Sequence, residues 1–264
     1  MPQDYLLADQ PSELERLRLQ SLVWEPTGRH LLTQLENASG GRTLGVGCVA
    51  LGWLRILSER VGPSGRVIGS DIDESLLKTW FRTGHRRRVL RWRLLEPQSF
   101  DVVHARYQIA PLGRGREQVA SHRRLLRPGG SLVLEEWDLG SWRFNPPAPA
   151  AERLIRLLSE TFADLGGEAG RGLPELLQGI GIEEPEIDAH VFALKPGHPY
   201  LRLPLQFSVA LESRLLETLT EDELASLRRA AETELAEPGR CGHDVHPDPG
   251  LGPGRGLRAK SWTS

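Results

Sequence analysis

Two neighbouring stretches carry the residue types best suited to chemistry: Leu44-Gly-Val-Gly-Cys-Val-Ala-Leu-Gly-Trp53 and Val67-Ile-Gly-Ser-Asp-Ile-Asp73. An apolar strand running into glycines lets the backbone approach a ligand closely, because no side chain stands in the way. A carboxylate at the tip of the next strand, about 20 residues on, can accept hydrogen bonds from both hydroxyls of a ribose. The pair reads as a nucleotide pocket with Asp71 as ribose acceptor. An ordinary strand–turn–helix with a capping aspartate uses the same residue types, so the spacing leaves both readings open.

A second group sits further on. His104, Arg106 and Tyr107 close the run Phe100-Asp-Val-Val-His-Ala105, and open α/β sheets bind ligands at the C-terminal ends of their strands. His104 titrates near neutrality and is the candidate general base; a hydrogen-bonded structural histidine is the alternative. Glu135, Glu136 and Asp138 follow the next strand and either face the same crevice or cap it, with capping expected of Asp138. His198, Tyr200 and Gln206 are candidates for substrate contact. Cys241, His243 and His246 lie in a proline-rich stretch, and no metal site is expected there.

Positioning these groups requires a particular order of elements. Residues 12–36 read as a helix broken near Pro26, with Leu14, Leu17, Leu19, Leu22 and Val23, then Leu31, Leu32 and Leu35, giving mixed three- and four-residue spacings. Strands follow at 42–48, 66–71, 100–105 and 131–136, with helices near 51–60 and 116–126; Arg127-Pro-Gly-Gly130 stops the second helix. Strand–helix–strand alternation with long connections predicts a Rossmann-like, doubly wound, mostly parallel sheet with helices on both faces. Beyond it, helices are expected near 150–165, 173–179, 203–217 and 221–236, and a strand within 187–194. The expected organisation is an N-terminal helical segment (1–38), a main domain (39–236) and an irregular tail (237–264). Prolines in the tail argue against a strand at 240–251, since proline removes ladder donors.

Composition excludes several function classes. The formal net charge is −2, from 33 basic and 35 acidic residues, and gives no reason to expect a polyanionic partner. Residues 78–93 are basic and aromatic, a character that RNA contact and a solvated helix face share. No apolar run approaches the roughly 20 residues of a membrane span. Two cysteines make no disulfide framework. A cytoplasmic protein with a small-molecule substrate, and neither a membrane nor a nucleic-acid partner, is the expectation.

The chain resembles the class I S-adenosylmethionine-dependent methyltransferases, especially the bacterial group related to quinone-biosynthesis enzymes. Three blocks in family order carry the resemblance: Arg42 to Asp73, Ser99 to Arg106, and Leu126-Arg-Pro-Gly-Gly-Ser-Leu-Val-Leu-Glu135. The resemblance implies S-adenosylmethionine lying across the strand tips, in contact with Gly45, Gly47, Cys48, Asp71, Ile72, Leu94, His104, Ala105 and Arg106. It also implies a lid built from the N-terminal helices and the insertion after Glu136. Methyl transfer to oxygen, nitrogen or carbon of a small molecule is the implied activity. Loss or repurposing of that activity, and a nicotinamide-dependent oxidoreductase sharing the glycine loop and acid, are the alternatives.

This chain departs from the family pattern at Gly45, where an acidic residue usually holds the cofactor's amino group, and at Val49, where glycine is usual. A β-branched side chain is poorly suited to a position of positive φ or close ligand approach.

Overall fold

A computed structural model describes residues 13–35, 38–47, 53–71, 87–89, 95–164, 170–244 and 258–260 of the 264-residue chain. Its main sheet begins with β1 (Arg42–Val46) and β2 (Arg66–Ser70), joined through helix α2 (Trp53–Val61). The two strands are parallel and in register, Arg42 opposite Arg66 and Val46 opposite Ser70. β3 (Arg87–Val89) extends the sheet beyond β2, while β4 (Phe100–Arg106) and β5 (Leu126–Glu135) extend it beyond β1. A single helical turn, α3 (Ile109–Leu112), follows the tip of β4. A last strand, β9 (Arg258–Lys260), pairs antiparallel with β5 and completes the order β3-β2-β1-β4-β5-β9. The expected doubly wound sheet is present.

Both faces of the sheet are covered, which is why its strands are almost continuously apolar. Adjacent residues of a strand point to opposite faces. Leu44, Ile68, Val103 and Leu132 pack with α4 (Gly115–Leu125) and α6 (Leu173–Gln178), through Val119, Leu125, Leu173 and Leu177. Val67, Val102 and Val133 pack on the other face with Leu54 and Leu57 of α2 and with Leu31 and Leu32 of α1 (Glu13–Thr33). A third cluster gathers α5 (Pro149–Asp164), α7 (Leu203–Ala210), α8 (Glu212–Leu215) and α9 (Glu221–Ala236), with Leu154, Phe162 and Phe207 fully buried.

α1 runs through Pro26 without the break expected there. Proline removes one helical hydrogen bond and disfavours a helix interior, yet both halves are held from outside. Leu31, Leu32 and Leu35 are buried against α2. Upstream, Glu25 and Arg29 of α1 form a closed ring of ion pairs with Arg55 and Glu59 of α2, at 2.6 to 2.8 Å. Each exposed pair is weak, but the four together lock the register of the two helices.

The structure corrects several expected boundaries. The 203–217 helix is two helices, with Leu211 capping the first and starting the second. The strand expected within 187–194 is only β7 (Ala193–Leu194). β6 (Trp142–Asn145) was not expected; its residues alternate buried and exposed, Trp142 and Phe144 inward, and it is an edge strand of a small three-stranded sheet. The segment expected to be irregular supplies β8 (Cys241–Asp244), which lies between β6 and β7, as well as β9. The prolines that argued against a strand stand at 247 and 249, beyond β8. No described helix is long and apolar enough to cross a membrane.

Candidate functional site

The parallel pairing brings the tips of β2, β1 and β4 side by side: Val46 is opposite Ser70 on one flank and Ala105 on the other. Gly47 follows at φ +57°, and a β-carbon there would fall 1.7 Å from Nε2 of Gln108. The positive φ itself strains a residue with a side chain, and the Gln108 amide lies over the turn. Asp71 stands directly after β2, partly exposed. The expected glycine turn and acidic strand tip are thus neighbours. Gly45 is buried, paired with Gly69 of β2 and His104 of β4, and presents no carboxylate. Cys48, Val49, Ile72 and Leu94 lie outside the described residues.

These tips fit an adenosyl ligand on two counts, a backbone turn that tolerates close approach and a carboxylate for ribose hydroxyls. On a third count, a partner for the ligand's amino group, position 45 contributes nothing.

His104 is 2 % exposed. Its Nε2 lies 2.7 Å from Oε1 of Glu135, and its ring stacks on the Trp53 indole at 3.7 Å between centroids. Burial holds the imidazole below its ordinary pKa, against an upward pull from Glu135. Arg106, two residues further along β4, places its guanidinium over the faces of Trp53 and Tyr107, 5.6 and 5.7 Å from their centroids. Ala105 points to the opposite face, into the α4 and α6 cluster. This geometry matches the structural alternative for His104: a neutral ring wedged between an indole and a carboxylate.

A cavity of about 120 Å³ opens beyond the C-terminal ends of β4 and β5. α1 contributes Trp24, Thr27 and Leu31; the other walls are Tyr107, residues 134–138, Ser141, Gly170 and residues 187–190. His104 is not among the lining residues. Tyr107, at φ +54°, stacks on Trp137 with centroids 5.0 Å apart and meets the edge of Trp24 at 5.4 Å. The Trp24 indole N–H donates to the Tyr200 hydroxyl at 3.2 Å.

Glu136 lines this cavity and was not singled out by sequence from its two acidic neighbours. Its Oε1 accepts from the backbone N–H groups of Gln108 and Ile109 at 2.9 and 2.8 Å. Its Oε2 is buried with no hydrogen-bond partner among the described residues. Burial drives the carboxyl pKa up to about 8, opposed by those backbone donors. An ionisable group tuned toward neutrality in a cleft is a candidate for proton handling.

The remaining candidates separate. Asp138 precedes the short 3-10 turn Leu139–Ser141 but makes no side-chain cap; it accepts from Nε of Arg171 at 2.6 Å. His198 is the residue that caps, its Nδ1 accepting from the Tyr200 N–H at 3.1 Å. Tyr200 stands behind the cavity wall, and Gln206 lies in an open groove between α7 and α9. Tyr107 aside, the aromatic wall escaped sequence reading because Trp24, Trp137 and the 187–190 segment meet only in three dimensions.

No protein-family model matches the chain. A stretch of 138 residues is 33 % identical to nocamycin O-methyltransferase of Saccharothrix syringae, covering 46 % of this chain and 49 % of that protein. A stretch of 126 residues is 26 % identical to demethylmenaquinone methyltransferase of Staphylococcus carnosus, covering 44 % and 50 %. The chain spans about half the length of the curated relatives it matches. The structure of a SAM-dependent methyltransferase from Aquifex aeolicus superposes with a TM-score of 0.50 at 18 % identity, over 69 % of this chain and 91 % of that one. The fold is that of the class I methyltransferases.

Proposed function

We propose that this chain of class I methyltransferase fold transfers a methyl group from S-adenosylmethionine to a small molecule. The observation that carries the reading is the juxtaposition of the Gly47 turn with Asp71 at adjacent parallel strand tips. When bound, S-adenosylmethionine supplies an electrophilic methyl group on a sulfonium, whose carbon–sulfur electron pair stays with sulfur. Asp71 would accept from the ribose hydroxyls, and Gly47 would admit the ligand to the backbone. Glu135, a lining residue of the neighbouring cavity, is paired with the buried His104 of β4. The cavity holds the acceptor under α1 and residues 187–190, which exclude water and fix the reacting atom.

Two of the curated relatives are methyltransferases, and the sixth strand is antiparallel, whereas the doubly wound nicotinamide-binding sheet continues in parallel. Both support methyl transfer over the oxidoreductase reading. Few cysteines support a reducing, cytoplasmic setting. A second reading, ligand binding without transfer, is favoured by the bare Gly45. Calorimetric titration with S-adenosylmethionine and with S-adenosylhomocysteine tests both: micromolar binding is expected, and a folded protein that binds neither overturns methyl transfer. Binding of both without turnover on any acceptor favours the second reading.

A further inference from the structure

The cavity at the ends of β4 and β5 has a chemical bias of its own. Its lining includes the carboxyl groups of Glu135, Glu136, Asp138 and Asp188 and, among the described residues, neither lysine nor arginine. Of the nearest cations, Arg171 offsets the charge of Asp138. His104, which faces Glu135, is held neutral by burial, and so is His190 on the far wall, although Asp188 pulls its pKa upward. Arg171 reaches Asp138 from outside the lining, and Arg106 lies over Trp53 and Tyr107. The remaining wall is aromatic, with Tyr107 stacked on Trp137 and edge-on to Trp24. Aromatic faces attract cations through their quadrupoles, most strongly where water is excluded.

Two buried polar groups in the same wall have no partner among the described residues. Trp137 is 5 % exposed and its indole N–H meets no acceptor; Glu136 Oε2 meets no donor. Polar groups left unsatisfied inside a protein are uncommon and mark a surface made for something polar.

We propose that the cavity takes a small amine in its ammonium form, seated on the Tyr107–Trp137–Trp24 wall, and that Glu136 receives the proton that must leave nitrogen before methylation. The amine site stands on the cavity alone; the proton-accepting role rests on the methyltransferase reading above. An ammonium N–H supplies the donor that Glu136 Oε2 lacks. Its charge reverses the effect of burial on Glu136, whose pKa near 8 in the empty cavity falls as the ion pair forms. Binding at neutral pH therefore expels a proton to solvent. In the reaction, one ammonium N–H bond breaks, its proton goes to Glu136 Oε2, and its electron pair remains on nitrogen as the lone pair that forms the new N–C bond.

The test is calorimetric titration of the full chain with benzylamine, benzyl alcohol and benzoate, with no methyl donor present. Benzylamine is expected to bind at least about tenfold more tightly than benzyl alcohol, and benzoate not to saturate. Heats in buffers of different ionisation enthalpy at pH 7 should show proton release with benzylamine, lost in Glu136→Gln with its circular dichroism spectrum unchanged. Failure of benzylamine to saturate, or equal affinity for the alcohol or benzoate, overturns the amine site. Undiminished proton release in the folded variant overturns the role of Glu136, and if that variant is unfolded, Trp24→Leu must weaken benzylamine binding instead. S-adenosylhomocysteine is titrated separately. Its failure to bind removes methyl transfer and leaves the amine site standing, whereas its binding without benzylamine removes the amine site alone.

Discussion

Trp53 and His104 stack with their ring planes 25° apart, and the back of the same indole abuts α1 at Gly28, where a β-carbon would lie 2.5 Å from Trp53 Cζ2. Helix, indole and imidazole are thus one stack reaching the strand that carries Glu135. Gly28→Ala pits two effects against each other. Alanine favours a helix interior by up to ~1 kcal/mol, and overpacking a tight contact costs ~1–3 kcal/mol. The overpacking prevails because the obstacle is a buried ring already stacked on His104. Thermal melts should show the variant less stable by about 1–2 kcal/mol; a more stable variant would mean that α1 is free to lift.

Gly45 and Gly69 leave the strands beside His104 bare. The double substitution Gly45→Asp and Val49→Gly restores a carboxylate and a glycine turn. A hydrogen bond to a charged group is worth ~1.5–3 kcal/mol, so the affinity for S-adenosylhomocysteine should rise by about tenfold or more. Unchanged affinity in calorimetry would show that the amino group is held elsewhere.

Glu136 makes stability fall with rising pH. Its folded pKa, near 8, exceeds the ordinary 4.5, so the native state holds a proton that the unfolded chain releases as pH rises through that window. Glu136→Gln keeps an acceptor for the two backbone N–H groups and removes the titration. The variant should match the parent near pH 4.5 and exceed it by at least ~2 kcal/mol at pH 8.5, since a tenfold change in proton affinity is worth ~1.4 kcal/mol. Melting curves across that range decide, and a pH-independent difference would sink the assignment.

His122 acts with the opposite sign. Burial, with His104 nearby, lowers its pKa to about 4, so the native state refuses a proton that the unfolded chain takes up below the ordinary 6.5. Its stabilising contribution is complete above that value and is lost as pH falls toward 4. Between pH 6.5 and 4.5, His122→Gln should lose about 2 kcal/mol less than the parent in urea titrations; identical acid limbs would count against it.

Arg240 ties the start of the final segment to the turn before α5. Its guanidinium donates to the carbonyls of Pro146 and Pro147, the latter at 2.6 Å, and pairs with Glu237. Arg240→Met strands carbonyl acceptors but no buried charge, because Glu237 is exposed. The expected loss is ~1–3 kcal/mol, read from urea denaturation; no loss would mean that β8 docks without it.

What the sequence discloses depends on whether the determinant is local. The apolar runs at Leu44, Val67 and Val102 declare strands because burial on both faces favours apolar residues. Thr220 and Glu223 form a full capping box where α9 begins, and the helix expected at 221–236 has those bounds. Cys241-Gly-His-Asp244 has neither β-branched residues nor alternation, and only pairing with β6 and β7 makes it a strand. The site divides in the same way. Gly47 and Asp71 are read from spacing, since a tight turn and a strand tip are local demands. Glu136 is not, because what distinguishes it from Glu135 is which backbone amides it meets from the chain 28 residues earlier.

β8 bears on how the cavity can respond to what enters it. Four residue pairs bind it to β6 and two bind it to β7, and β7 follows directly on the stretch that walls the cavity opposite Glu136. A molecule too large for the space must therefore strain a hydrogen-bonded ladder, not merely displace a loop. The outer wall is cross-tied at β7, and residues 187–190 lie outside its ladder. Size selection should therefore be sharp toward β7 and lenient toward the mouth, so that longer acceptors extend outward instead of widening the pocket.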